Sequence, residues 1–359
     1  MSNFPYLWNI ADGYPAKGIE KHGLKVFSCF ACGGGSSFGY KLAGYDVLGC
    51  NEIDKRMMKA YIANHKPKFS FLEPIQTFKN RTDLPKELYQ LDILDGSPPC
   101  SSFSVVGARE RDWGKEKKFA EGQAEQILDT LFFDFIDLAE KLKPKVVIAE
   151  NVKGLLMGGA KDYVRRIYKA FDKAGYYLQH FVLDASKMGV PQRRERVFFI
   201  ALRKDLAKPF LYQKNLFDVL PEIHLTFKQK AIPFHAIEEK DATEGFRPIA
   251  PSYAELWQHR KKGDSALADT MFRVKGKRTF FQSYIYSNKV LPTIVAGDKM
   301  LLFDKPRHLT HTELCLGGGY PVDYDFCGLQ TQYLIGMSVP PTMVANIAYE
   351  VYKQWLCKL

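Results

Sequence analysis

Residues 25–52 read KVFSCFACGGGSSFGYKLAGYDVLGCNE, and this stretch decides the fold. Residues 25–31 form a short apolar run that predicts a buried strand. The glycine-rich loop 32–37 (CGGGSS) follows, then helical spacing over 38–43. A second apolar run, 45–51, ends at Glu52. Strand, glycine cluster, helix, strand is the opening of a layered α/β fold. Glycines let a ligand come close to the backbone. An acidic group about 20 residues further on, at the end of the second strand, can accept hydrogen bonds from both ribose hydroxyls. The Gly-x-Gly-x-x-Gly spacing of a dinucleotide site is absent. NAD, FAD and S-adenosylmethionine all stay open at this point, beside the plainer alternative of a tight turn and an exposed Glu.

Outward from there the rhythm repeats. Residues 54–65 have helical spacing, and 91–94 form a strand that runs into DGSPPC (95–100). A long amphipathic helix spans 125–143, and KVVIAE (145–150) is a β-branched strand. A helix over 162–174 and strands over 177–183 and 197–202 complete the pattern. This predicts an α/β class protein, a mostly parallel, doubly wound sheet covered on both faces. Ligands bind such sheets at the carboxyl ends of the strands. After residue 204 the alternation stops. Residues 205–328 are richer in Pro, Gly, His and aromatics, and read as a second, smaller domain of loops and short strands. The large domain is then 1–204, completed by 329–359, with a helix over 342–356 packing back on it.

The chain has 359 residues and a net charge of +11. The hydrophobic fraction of 46% and charged fraction of 25% suit a soluble globular protein. There is no apolar run of membrane-spanning length and no leader pattern at the start, so a cytoplasmic protein without membrane contact is expected. The positive charge fits a polyanionic partner such as nucleic acid, or simply a basic soluble protein. The seven cysteines are scattered and odd in number, which makes no disulfide framework. Cys29 and Cys32 form a lone pair without the further ligands zinc requires, so no metal is expected.

Four segments carry candidate chemistry or binding. In SPPCSSFS (97–104) two prolines stiffen the backbone before Cys100, which holds a thiol still at a strand end. The glycine-punctuated, charged loop up to Gly122 reads as a lid. Glu150, in Glu150-Asn151-Val152, stands at the end of its strand, where a carboxyl group can act as acid, base or hydrogen-bond donor. In QRRER (192–196), Arg194 and Arg196 alternate and so point the same way from an extended segment. Finally, 273–289 sets Arg273, Lys275, Lys277, Arg278 and Lys289 among Phe280, Phe281, Tyr284 and Tyr286. That mixture suits contact with a nucleic-acid backbone; a solvated strand pair with an aromatic face is the alternative.

Pro-Pro-Cys, Glu-Asn-Val and Gln-Arg-Arg-Glu-Arg, in this order and each at a strand edge, resemble the DNA cytosine-5 methyltransferase family of bacterial restriction-modification type. Residues 130–155 (TLFFDFIDLAEKLKPKVVIAENVKGL), 307–324 and 333–341 follow its pattern as well. The resemblance implies a Rossmann-like, S-adenosyl-L-methionine-dependent domain beside a target-recognition domain at 205–328. It implies that Cys100 adds to C6 of a flipped cytosine, that Glu150 holds N3, and that Arg196 holds O2 with Arg194 in support. It places Phe30, Gly33, Gly35, Asn51, Glu52, Ile53, Ile75, Ser97, Pro99, Leu131 and Ser338 around the cofactor. The product would be S-adenosyl-L-homocysteine. Ser101, Ser104, Arg273, Lys275, Lys277 and Arg278 would face double-stranded DNA. A monomer is implied, with a cognate restriction endonuclease, where there is one, acting separately. The chain departs from the pattern at Cys32, which replaces a glycine, at Ser101, which replaces a glutamine, at Glu73-Pro74, where an aspartate is usual, and at Met337, which replaces an asparagine. The rival readings are an RNA cytosine-5 methyltransferase, a catalytically inactive DNA-binding relative and an NAD-dependent oxidoreductase.

Overall fold

Val146, Val147, Ile148 and Ala149 are all buried, without alternation, as expected of a strand covered on both faces. They belong to β5 (Val146–Val152) of a seven-stranded sheet. The computed structural model describes residues 4–99, 130–157, 161–213, 219–278, 282–297 and 300–359. In chain order the sheet and its helices are β1 (Lys25–Cys29), α1 (Gly35–Leu42), β2 (Asp46–Glu52), α2 (Lys55–His65), β3 (Phe69–Leu72), α3 (Ile75–Asn80), β4 (Ile93–Gly96), α4 (Leu131–Leu142), β5, α5 (Lys161–Lys173), β6 (Tyr176–Asp184) and β7 (Glu195–Arg203). The strand order is β3-β2-β1-β4-β5-β7-β6. All neighbours are parallel except β7, which runs antiparallel to both β5 and β6.

Alternation within each strand divides the core. Val26, Ile93, Val146, Ile148 and Ile200 join one cluster with α1 and the C-terminal helix. Phe27, Leu94, Val147, Ala149 and Phe199 join the other, with Phe132 and Phe135 of α4 and Phe171 of α5. The expected parallel α/β sheet is therefore present. Strand β3 and helix α3, for which the sequence pattern carried no expectation, extend its edge.

Residues 205–328 hold more helix than expected. The pair β8 (Leu211–Gln213) and β9 (Val219–Pro221) is followed by α6 (Pro251–Gln258), α7 (Leu267–Lys275), the short parallel pair β10 (Tyr284–Ile285) and β11 (Leu301–Leu302), and α8 (His311–Gly318). Pro251 occupies the first turn of α6, where its missing N–H costs nothing. Asp269 accepts the Ser265 and Ala266 N–H groups to open α7, and Gly276 closes it at φ 65°. Leu256, Leu267, Tyr284 and Leu301 form a small core of their own. The chain returns through α9 (Thr331–Met337) to α10 (Pro341–Gln354), where Tyr45 donates to the Ala348 carbonyl at 2.9 Å. A side chain at Gly39 would strike Val344, so α1 and α10 lie in close contact. The helix expected over 342–356 thus packs on the sheet domain.

Candidate active site

The carboxyl ends of β1, β2, β4 and β5 share one edge of the sheet. Because β7 is antiparallel, its start lies at that same edge: Val152 pairs with Arg196, and Glu150 pairs with Phe198. Glu150 and Arg196 are then diagonal neighbours on one face, and they form an ion pair with Arg196 Nε 2.9 Å from Glu150 Oε1. The Glu150 and Arg196 side chains are 12% and 15% exposed, so the pair is largely shielded from solvent.

Arg194 takes a different part from Arg196. It is buried, with Nη1 donating to the Ile294 carbonyl at 3.0 Å and Nη2 to those of Gly336 at 3.0 Å and Ser338 at 2.8 Å. Burial pulls its pKa down to about 9, with Arg196 adding to the effect. Gln192, also fully buried, donates to Gly317 and accepts from Ile294. So the first half of QRRER staples β7 to distant backbone, and the second half presents Arg196 to Glu150. Arg193, exposed between them, faces the other way.

At the other end of the edge, Glu52 Oε2 accepts the Cys32 N–H at 2.7 Å, and Oε1 accepts those of Ile53 and Asp54 at 2.8 Å each. Three of a carboxylate's roughly four acceptor positions are thereby used. Burial raises the pKa of Glu52, and the three N–H bonds oppose that shift. The loop turns sharply, with Phe30 and Cys32 both in the left-handed region at φ 52° and 50°. The Cys32 conformation costs roughly 1 kcal/mol for a residue with a Cβ. Its thiol sits against Met57, accepts from the Ser338 hydroxyl at 3.4 Å and is pushed by burial up to about 12. It is a packed, protonated thiol.

The glycines serve packing here more than expected. A Cβ on Gly34 would meet His65, and one on Gly35 would lie 2.2 Å from the Val339 carbonyl. Tyr324 donates to the Gly33 carbonyl at 2.9 Å. The C-terminal segment therefore forms one wall of the loop, with Ser338 bonded to Leu334. Met337, at the position of the usual asparagine, is 57% exposed; the backbone on both sides of it is held by Arg194.

Between these ends, Asn151 donates to the Pro98 carbonyl at 3.0 Å, and the Ser97 N–H reaches Cys29 at 3.4 Å. Sequence reasoning gave Asn151 no role, although its place beside Glu150 was the available signal. Pro99 is exposed, whereas Leu131 and Ile75 are buried at the starts of α4 and α3. Asn51 ties β2 to the Phe71 and Glu73 carbonyls, and Glu73 pairs with Arg81. Cys100, Ser101, Ser104 and the expected lid up to Gly122 lie outside the described residues, as do Phe280 and Phe281.

A cleft of about 1490 Å³ opens between the β6–β7 connection and the α7–β10 region. Lys187, Arg193, Arg278 and Lys289 line it, together with Tyr284 and Tyr286. Of the four basic residues singled out at 273–278, Arg278 reaches this cleft. Arg273 is held by both carboxylate oxygens of Asp264, at 2.8 and 2.6 Å, and Lys275 and Lys277 are exposed. Neither Arg193 nor Lys187 was singled out from the sequence as a cleft residue; the alternation of Arg193 against Arg194 and Arg196 was the signal for the first.

The model of the C-5 cytosine-specific DNA methylase family matches residues 24–353. The chain is 36% identical over 351 residues to the Type II methyltransferase M.NgoPII of Neisseria gonorrhoeae, covering 91% of this chain and 94% of that protein. It is 28% identical to the Type II methyltransferase M.Bsp6I of Bacillus sp., covering 93% and 100%. Among solved structures, a Spodoptera frugiperda DNMT2 mutant matches with a TM-score of 0.62 at 15% identity, over 92% of this chain and 99% of that one. No helix among the described residues is long and apolar enough to cross a membrane. The chain belongs to the C-5 cytosine-specific DNA methylase family and is a DNA cytosine-5-methyltransferase.

Proposed function

We propose that this edge takes S-adenosyl-L-methionine beside the loop 30–35 and a cytosine swung out of double-stranded DNA beside Glu150 and Arg196. The observation that carries the reading is the Glu150–Arg196 pair, an acid and a guanidinium held side by side next to the Pro-Pro segment. A cytosine ring offers N3 and O2 on one edge, and the two groups match that edge in type and order. Before the base arrives each keeps the other oriented; when it enters, Glu150 takes up a proton and donates it in a hydrogen bond to N3, while Arg196 donates to O2. Asn151, by holding Pro98, fixes the chain that leads to Cys100. The Cys100 thiolate adds to C6, which makes C5 nucleophilic; C5 accepts the methyl group and loses its proton, and Cys100 is expelled. A base inside a duplex cannot be reached this way, which is why it must be flipped.

The cofactor supplies an electrophilic methyl group and is left as S-adenosyl-L-homocysteine. The residues present fit it. Glu52 keeps about one acceptor position for a ribose hydroxyl, and Ile53 and Ile75 supply apolar surface near it. Ser338 and the turn at Phe30–Cys32 complete the wall. Residues 205–328 act as the sequence-reading part, and Lys187, Arg193, Arg278 and Lys289 meet phosphates along the cleft. The enzyme works as a cytoplasmic monomer, with any restriction endonuclease a separate protein.

The test is transfer of labelled methyl to mixed-sequence duplex DNA, beside an RNA control and Cys100→Ala. Label found as 5-methylcytosine in DNA and lost in the variant supports the whole reading. Label in RNA alone overturns the DNA part, and label retained in the variant overturns the nucleophile.

A further inference from the structure

Asp95 is a carboxyl group that the reaction just described leaves unused. It is the next-to-last residue of β4 and is 4% exposed. Its Oδ2 accepts the Ser28 hydroxyl at 2.6 Å and its Oδ1 accepts the Tyr40 hydroxyl at 3.0 Å. Among the described residues no cation pairs with it. A buried carboxylate held by neutral donors alone is costly, and such groups concentrate at functional sites. Its position is suggestive on other grounds. Ser28 lies two residues before Phe30, where the glycine loop begins, and Tyr40 lies on the helix that the loop opens. Asp95 itself leads into Ser97, Pro98 and Pro99. One carboxyl group thus joins the strand that enters the loop proposed for the cofactor to the helix that leaves it, and it lies on the strand that runs into the Pro-Pro segment.

We propose that Asp95 is a positioning residue, whose ionised carboxylate ties the loop after β1 to the Pro-Pro segment after β4 and so sets the affinity for the cofactor. The inference rests on the assignment of the loop 30–35 to S-adenosylmethionine. As a carboxylate, Asp95 accepts from both hydroxyls at once. Once protonated it must donate, and Ser28 or Tyr40 must reverse its hydroxyl, which loosens one of the two ties. The groups around it are Ser28 and Cys29 on β1, Ser36 and Tyr40 on α1, Tyr61 on α2 and Glu150 on β5. Burial raises its pKa to about 7; the hydroxyls of Ser28, Tyr40 and Ser36 oppose the shift, and the charge of Glu150 adds to it. The switch between one tie and two therefore falls near neutrality, with the tighter state on the alkaline side.

The experiment is calorimetric titration of S-adenosyl-L-homocysteine into the full-length protein at mildly acid and mildly alkaline pH. It compares the wild type, Asp95→Asn and Ser28→Ala, each checked for folding by circular dichroism. The wild type is expected to bind about tenfold more tightly at the alkaline pH, the size of one lost charged hydrogen bond. Asp95→Asn should bind weakly at both and lose this pH dependence. Ser28→Ala removes a bond that favours the carboxylate, so its transition should move to higher pH; it decides the matter if Asp95→Asn does not fold. Equal affinities and equal pH profiles in wild type and variants would sink the proposal. A wild type that binds at neither pH would instead overturn the cofactor site itself, and this inference with it.

Discussion

Around β5 every side chain from Val146 to Ala149 is buried and none is charged. Around α7 the apolar cluster is only four buried side chains, Leu256, Leu267, Tyr284 and Leu301, and the neighbouring chain is fastened by ion pairs. Arg273 grips Asp264 there, and Arg307 grips Glu313 with Nη1 and Nη2 at 2.8 Å each. The contrast separates two ways of fixing a backbone. Where ladder hydrogen bonds and apolar layers hold the strands, charged groups at the strand ends are not needed to fix the backbone, and Glu150 and Arg196 are of that kind. Where strands are two residues long and the apolar core is small, charge itself holds the chain in place. Glu313 illustrates the second case: fully buried, it also accepts the Glu239 and Thr310 N–H groups.

That comparison can be broken most directly at Arg307. Arg307→Met leaves Glu313 buried and uncompensated, and about 3–5 kcal/mol of stability should be lost, measured by urea unfolding. The double variant Arg307→Met/Glu313→Leu should recover part of it, since it leaves no orphaned charge. Full stability in the single variant would show that the apolar contacts suffice. Next comes Leu267→Ala, which removes one of the four core side chains at a cost of about 2–4 kcal/mol. Hydrogen exchange should quicken over α7, β10 and β11, while the amides of β1, β4 and β5 stay protected. Faster exchange across the sheet as well would mean that the two regions open as one.

The same contrast explains what could be read in advance. Strands β1, β2, β5 and β7 were legible because a strand buried on both faces leaves an uninterrupted apolar run. Alternation singled out Arg194 and Arg196 together, yet their partners differ. What Arg194 touches was not legible, since its acceptors are backbone carbonyls 100 to 144 residues away. The meeting of Glu150 with Arg196 depends on β7 running antiparallel, which a strand–helix–strand rhythm does not announce. Helices α6 and α7 were missed because each is under ten residues long, too short for a period of 3.6 to stand out among loops. The local signals were Pro251 and Gly276, and they mark ends without showing what lies between.

Asp264 gives a finer test, through pH. Its carboxylate is held well below the usual range, chiefly by the Arg273 hydrogen bonds, with the Lys261 N–H and the Thr270 hydroxyl adding to them. A depressed folded-state pKa contributes stability that is present above the unfolded value of 3.8 and is lost as pH falls below it. Exchange in α7 should therefore rise on acidification below pH about 4, ahead of the sheet. Asp264→Asn should show the raised exchange already at neutral pH and little further change in acid. An unchanged acid response in the variant would assign that response to other carboxylates.

The smallest effect belongs to Thr310, which begins α8. Its hydroxyl accepts the Glu313 N–H at 3.1 Å, and its own N–H is taken by Glu313 Oε2 at 2.9 Å, a reciprocal cap. The same hydroxyl donates to Glu239. Thr310→Ala should cost about 1–2 kcal/mol, because it removes one helix cap and strips a carboxylate of one donor. Thr310→Ser keeps the oxygen and should restore most of that, leaving the small loss of a buried methyl group. If both variants lose the same amount in urea unfolding, the methyl packing rather than the hydroxyl holds this turn. The charge network of Arg307, Glu313 and Glu239 would then stand without its cap, and the distinction drawn between the two regions would rest on the ion pair alone.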